Sequence, residues 1–447
     1  MKIIFVKTIN ILIIIMLLSV FSSLISCTQN EIIDYDLEII ETTEEVTEIF
    51  AFEKTNSDLN KKSNIVTKKV KDNVTNDTIK EAIKTRTKKP IKAKGVYLPA
   101  YVAGKSERFD PIFEALKNSE FNCIVVDIKD ELGRITIENN APIVKELKTT
   151  EIQIKNIKDF IEKCHAENIY VIARVATFLD NFATRQDSEM AIKRRDGKLY
   201  KDNMGYYWLN PYVEKTREYI KQIAISAAET GFDEIQLDYF RFSTDSGMKR
   251  VDFTDEMTGG KTKIDVITSL AQDIYLEMIK RNVYFSLDVF GSIMNSYKDQ
   301  DKIGQNYSEL VKYCDYICPM VYPSHYANTT FGIDVPDTEP YKTVLSAMQT
   351  SSTVINNAKD YGSHYGEVRP WLQAFTADWI AGHIVYGKDE YEAQIKALYE
   401  AGYSEYLLWQ GGGVYKWDEL LQIDDLKKKE ETKEESEEIG STVSSLR

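Results

Sequence analysis

Between residues 93 and 426, short apolar or β-branched runs alternate with longer stretches of helical period. The runs are Gly95 to Leu98, Cys123 to Asp127, Tyr170 to Arg174, Glu234 to Asp238, Tyr284 to Asp288, Tyr316 to Met320, Pro370 to Ala374 and Tyr406 to Trp409. Helical patterns separate them, among them Ile152 to Cys164, Val213 to Glu229, Val266 to Arg281 and Tyr391 to Ala401. Strand then helix is the grammar of βαβ units with a parallel sheet. Eight repeats close naturally into a (β/α)₈ TIM barrel, an α/β fold that fits the length of this region. A doubly wound open sheet fits less well. Pro99-Ala100-Tyr101 follows the first run, where such a sheet would carry a glycine-rich phosphate turn.

Two connections are long, Ala176 to Asn210 after the third run and Tyr239 to Lys263 after the fourth. Connections of that size inside a compact domain usually carry function, and both emerge where barrels place their active sites. Asn210-Pro211 reads as the start of the next helix, with an N-cap side chain and proline at the first helical position.

Outside this region the periodicity stops. Residues 27–92 run from an acidic, Thr-containing stretch to a basic one and read as a disordered tether, and residues 427–447 read as a charged, then Ser-rich tail. Residues 1–26 have the order of a secretory signal. Lys2 and Lys7 precede an apolar run from Ile11 to Val20, then Leu24-Ile25-Ser26-Cys27. That ending resembles the lipobox of bacterial lipoproteins. The resemblance implies cleavage before Cys27, lipidation of its thiol, and a barrel held at the cell membrane on the extracytoplasmic side. An uncleaved signal anchor is the alternative, but the apolar run is short for a span.

The chain of 447 residues has a formal net charge of -14, which speaks against a nucleic-acid partner. An uncharged partner such as a polysaccharide fits better. Cys314 and Cys318 lie four apart in an apparent strand, roughly 13 Å from each other and too far for a disulfide. With four His and no CxxC pair, no zinc site is expected, and Cys123, Cys164, Cys314 and Cys318 read as small core residues. No metal and no cofactor are called for.

Three runs end in a carboxylate: Asp127, Asp238 and Asp288. Strand ends converge on a barrel's mouth, and glycosidic cleavage needs two acids there, one protonated and one ionised. Asp238 and Asp288 are the expected catalytic pair, Asp238 as nucleophile or base and Asp288 as general acid, with Arg241 orienting the carboxylate. The competing structural reading has these acids capping helices or pairing with Arg174 and Arg241. Aromatic rings supply the other half of a sugar site, because a pyranose stacks its C–H face on a ring. The expected substrate contacts are Asp127, Arg174, Trp208, Arg241, Tyr322, His325, Trp371, Gln373 and Trp409.

At these residues, Gly95-Val96-Tyr97, Ile235 to Phe242, Leu287 to Gly291, Met320 to Tyr326 and Arg369 to Gln373, the chain resembles a bacterial family of TIM-barrel glycosyl hydrolases. The resemblance spans about residues 93 to 420 and implies a carbohydrate substrate. Met320-Val321-Tyr322 and Trp409 are also similar to the sixth and eighth strands of chitinase-type barrels. The fourth strand departs from that pattern, with Gln236, Asp238 and Phe240 where such barrels carry DxDxE, and Phe240 has no proton to donate. An acid on the fourth strand paired with one on the fifth resembles the α-amylase arrangement by position. The expected function is hydrolysis of a cell-surface polysaccharide. The rivals are a non-catalytic glycan-binding barrel and a purely structural envelope lipoprotein.

Overall fold

The computed structural model describes residues 76–359 and 363–427. The expected signal peptide, Cys27, the first part of the expected tether and the expected tail beyond Lys427 lie outside these residues. The strands are β1 (Lys94–Leu98), β2 (Cys123–Lys129), β3 (Tyr170–Ala176), β4 (Glu234–Asp238), β5 (Tyr284–Phe290), β6 (Tyr316–Met320), β7 (Glu367–Val368), β8 (Trp371–Gln373) and β9 (Tyr406–Trp409). Every pairing is parallel. β1 bonds both β2 and β9, and β5 bonds both β4 and β6, so the sheet closes on itself. The result is an eight-position (β/α)₈ barrel in which β7 and β8 share the seventh place. Arg369-Pro370 breaks that strand because proline has no N–H for the ladder.

Side chains alternate across the wall. Val96, Ile124, Val126, Val171, Ile235, Leu237, Phe285 and Leu287 face the helical layer. Tyr97, Cys123, Val125, Tyr170, Ile172, Tyr284, Tyr316, Cys318 and Leu407 fill the interior. Period two then carries Arg174, Asp238 and Asp288 inward at the upper ends of β3, β4 and β5. Cys314 lies just before β6 and packs in the helical layer, so it shares no face with Cys318 inside the barrel.

The lower mouth is closed by charge. Arg369, fully buried, bonds both carboxylate oxygens of Glu234 at 2.9 and 3.0 Å and Glu405 Oε2 at 3.1 Å. Its guanidinium carbon lies 3.5 Å from the Tyr316 ring centroid.

Two local expectations change. Residues 76–92, expected within the tether, belong to the folded body. Asn76–Lys84 is a helix, Ile79 is 1% exposed, Arg86 pairs with Asp315, and Lys88 pairs with Asp233 at 2.5 Å. The basic residues that look like a solvated run find buried acids near the strands' starting ends. The helix after the third-strand loop spans Glu214–Thr230 with Val213 at its N-cap, while Asn210 accepts the Tyr212 N–H in a turn before it.

Candidate active site

The upper mouth is organised by one arginine. Arg174 on β3 is completely buried and carries three acids. Nη1 donates to Asp127 Oδ1 at 2.5 Å, Nη2 to Glu131 Oε1 at 2.8 Å and Asp238 Oδ2 at 2.6 Å, and Nε to the same Asp238 oxygen at 3.1 Å. A planar fork spreads its donors over three separate nitrogens and so serves three carboxylates at once, a geometry that a lysine's single nitrogen does not share. Rings cover the guanidinium: Tyr97 and Trp409 stack with centroids 4.1 Å apart, at 5.2 and 4.9 Å from its central carbon.

Each acid around Arg174 has a different environment. Asp127 is 2% exposed and also accepts the Tyr97 hydroxyl at 2.6 Å. Burial pushes it up to about 7 against the pull of Arg174. Glu131 is about one-third open to solvent. Burial works to raise it, but Arg174 outweighs that and holds it below the usual range. Asp238 keeps about a tenth of its side chain exposed and accepts the Tyr239 N–H on Oδ1 at 2.6 Å. Tyr239 has φ of 49°, a left-handed conformation that a large residue adopts only where its surroundings impose it.

Asp288 lies one strand over. Leu237 pairs with Leu287, so the next residues along β4 and β5, Asp238 and Asp288, are neighbours across the barrel wall. Asp288 is 1% exposed and accepts the Trp371 indole N–H at 2.7 Å. Burial, then the charge of Asp238, raise it well above the ordinary carboxylate range. Tyr322, after β6, feels both acids: burial and then Asp238 and Asp288 raise its hydroxyl.

The remaining expected contacts divide. Trp409 is partly open above Arg174, and Trp371 stands edge-on to it at 5.5 Å but is buried. His325 is exposed beside Tyr322. Trp208 is buried, donating to Asp202 Oδ2 at 2.9 Å. Gln373 is buried and its amide is occupied by the protein, accepting from Ser324 N and donating to Asp337 and to Phe375 O. Arg241 does not orient Asp238. It donates to Phe242 O and lies among Trp208, Tyr239 and Phe290, and the orienting guanidinium is Arg174, whose strand faces β4 directly.

Three residues of the mouth were not singled out from the sequence. Tyr97 lines the floor. Glu131 reaches Arg174 from the turn after β2, where Asp130 accepts the Leu132 and Arg134 N–H groups. Gly133 permits that turn, since a Cβ there would stand 2.1 Å from Asp180 Oδ1 at φ of 92°. Trp379, after the seventh strand, is 57% exposed and stacks on Phe375 at 5.9 Å and 21°. Their signal was position alone: each follows or ends a strand at the upper face.

Among the described residues no group of three or more His, Cys, Asp or Glu could hold a metal ion, and no helix is long and apolar enough to cross a membrane.

The comparisons with known proteins give the class to which this barrel belongs. A family described as "Putative glycosyl hydrolase domain" matches residues 95–415, so the chain belongs to that family and is a glycoside hydrolase. A hypothetical protein from Ruminiclostridium thermocellum ATCC 27405 is 34% identical over 43% of this chain and 97% of its own, with a TM-score of 0.39. The PgaB (BpsB) glycoside hydrolase domain from Bordetella bronchiseptica shares the fold at 12% identity, with a TM-score of 0.56 over 76% of this chain and all of that one. No curated protein matches.

Proposed function

We propose that this protein hydrolyses a polysaccharide at the bacterial cell surface, held there by a lipid on Cys27, with Asp238 and Asp288 as its acid pair. The observation that carries the reading is the contrast between these neighbours. Asp238 accepts hydrogen bonds from Arg174 and Tyr239 at the mouth, while burial and the charge of Asp238 raise Asp288 well above the ordinary carboxylate range. A carboxyl group raised by its surroundings, set beside a second acid held at the mouth, is the arrangement that acid and base roles require. Asp238 serves as nucleophile or base, and Asp288 supplies the proton for the leaving oxygen. His325, Trp379 and Trp409 offer ring surface and polar edges to the sugar, while Tyr322 lies buried beneath them. Arg174 and Asp127 act from behind as positioning groups.

The test is sugar release from a polysaccharide panel by the wild type, Asp238→Asn and Asp288→Asn. Asp238→Asn is expected to abolish release with the fold intact. Asp288→Asn is expected to lose 10²-fold or more on natural glycans and far less on aryl glycosides with good leaving groups, which need little protonation. Unchanged turnover in Asp238→Asn removes the pair, and equal losses on both substrate types remove Asp288 as acid. Binding without any product would leave a glycan-binding barrel.

A further inference from the structure

The mouth holds a second arginine in a different state from Arg174. Arg241 is 7% exposed, and its guanidinium carbon lies 4.3 Å from the Phe290 ring centroid, 5.1 Å from Trp208 and 5.3 Å from Tyr239. Nη1 donates to the Phe242 carbonyl at 2.9 Å. Nε and Nη2 have no partner among the described residues, yet neither is sealed from solvent. The nearby acids are occupied: Asp238 is bonded by Arg174, and Asp202 accepts the Trp208 indole and the Met204 and Tyr206 N–H groups. Burying a cation among rings without a counter-charge opposes folding, and rings repay only part of that cost. An unpaired guanidinium with two open donors beside the site is arranged for an anion that arrives from outside.

A second observation lies mainly on the long connection after β3, which carries Trp208. A cavity of about 780 Å³ is lined by Lys193, Arg194, Lys198, Lys201 and Arg250, against one lining acid, Glu189. Glu189 pairs with Lys193, and Asp196 with Arg194. Lys198, Lys201 and Arg250 are exposed and enter no ion pair among the described residues. Tyr207 also lines this cavity, and Trp208, next in sequence, stacks on Arg241. The chain as a whole carries a charge of -14, so this local excess of cations runs against its composition.

We infer that the substrate is an anionic polysaccharide, bearing a carboxylate or a phosphate, and that Arg241 receives one anion at the mouth while Lys198, Lys201 and Arg250 hold others along the polymer. The inference rests on the mouth taking a glycan, not on the cleavage step. A bidentate contact to carboxylate or phosphate suits the two open nitrogens of Arg241.

Binding is measured with the full chain carrying Asp238→Asn, so that no probe is consumed. The probes are polygalacturonate, its carboxyl-reduced counterpart and poly(glycerol phosphate), at low and high salt. The expected result is at least tenfold tighter binding of one anionic polymer than of the reduced one, weakening as salt rises. The further change Arg241→Gln is expected to remove about tenfold of that preference while leaving the reduced polymer unaffected. Lys198→Glu with Lys201→Glu, both at exposed positions, is expected to weaken the same polymer even if Arg241→Gln folds poorly. The polyuronate and the polyphosphate arms tell the two anions apart. Equal binding of acidic and reduced polymers overturns the inference. Cleavage of neutral polymers alone overturns it while sparing the hydrolytic reading, and tight anionic binding without cleavage by the wild type does the reverse.

Discussion

Arg174 on β3 grips Asp238 on β4 with two nitrogens on a single oxygen, Nη2 at 2.6 Å and Nε at 3.1 Å, and turns the other carboxylate oxygen to the Tyr239 N–H. The carboxylate's orientation is therefore set from inside the barrel wall, and the site's chemistry depends on a residue that no solvent reaches.

Removing that guanidinium leaves Asp127, Glu131 and Asp238 crowded without a cation. Arg174→Met is expected to cost about 3–5 kcal/mol in stability, the range for breaking a buried ion pair. Arg174→Lys is expected to recover little of it, since a single ammonium nitrogen cannot reproduce the spread of the guanidinium's donors toward β2 and β4. Chemical denaturation of both variants decides this, and full rescue by lysine would contradict the geometry.

Asp127 makes the folded state bind an extra proton near neutrality. Its value in the folded protein is raised to about 7, while the unfolded chain titrates near 3.9. The stabilising share of this group is thus complete below about pH 4 and lost as pH climbs to about 7. Relative to Asp127→Asn, the wild type is expected to lose about 2.5 kcal/mol between pH 5 and pH 8. Urea denaturation at the two pH values checks it, and parallel curves for the two proteins would contradict it.

Trp379 stands on the rim, more than half exposed and stacked on Phe375. Trp379→Ala is expected to shift stability by less than about 0.5 kcal/mol, as for an exposed substitution. Glycan affinity is expected to fall about tenfold, the size of a lost ring–sugar contact. Melting and glycan titration of the one variant separate these effects. Unchanged affinity would take this ring out of the binding surface.

The opposite mouth should behave differently. Arg369 holds Glu234 and Glu405 where the strands begin, away from the acids of the upper face. Arg369→Met is expected to destabilise by about 3–5 kcal/mol while turnover per folded molecule stays unchanged. Conservation of activity at sub-denaturing temperature, alongside a lowered Tm, is the expected pair of readings; a fall in turnover would mean that the two ends of the barrel are coupled.

The helix-and-strand grammar was legible because it is local. The runs ending in Asp127, Asp238 and Asp288 correspond to β2, β4 and β5, and their place near the strand ends already brought those carboxylates to the mouth. The seventh strand was found as one run, whereas the structure splits it at Pro370, whose effect on a ladder depends on which neighbour would have accepted its missing N–H. The tether's end was misplaced because Arg86 and Lys88 look like members of a solvated basic run until Asp315 and Asp233 are brought beside them.

Sequence by itself determined the barrel, its upper face and the acids that meet there, since a period of two residues and the order of strands are properties of neighbouring positions. Which arginine takes Asp238 and which stays unpaired was decided only by tertiary structure. Arg174 and Arg241 differ little as letters, but one springs from the strand paired with β4 and the other from the loop beyond it. A charged group's partners are set by distances between segments far apart in the chain. The same holds for Asp288, whose carboxyl is raised by burial that no single segment creates and by the charge of Asp238, and which accepts an indole N–H at sequence separation 83.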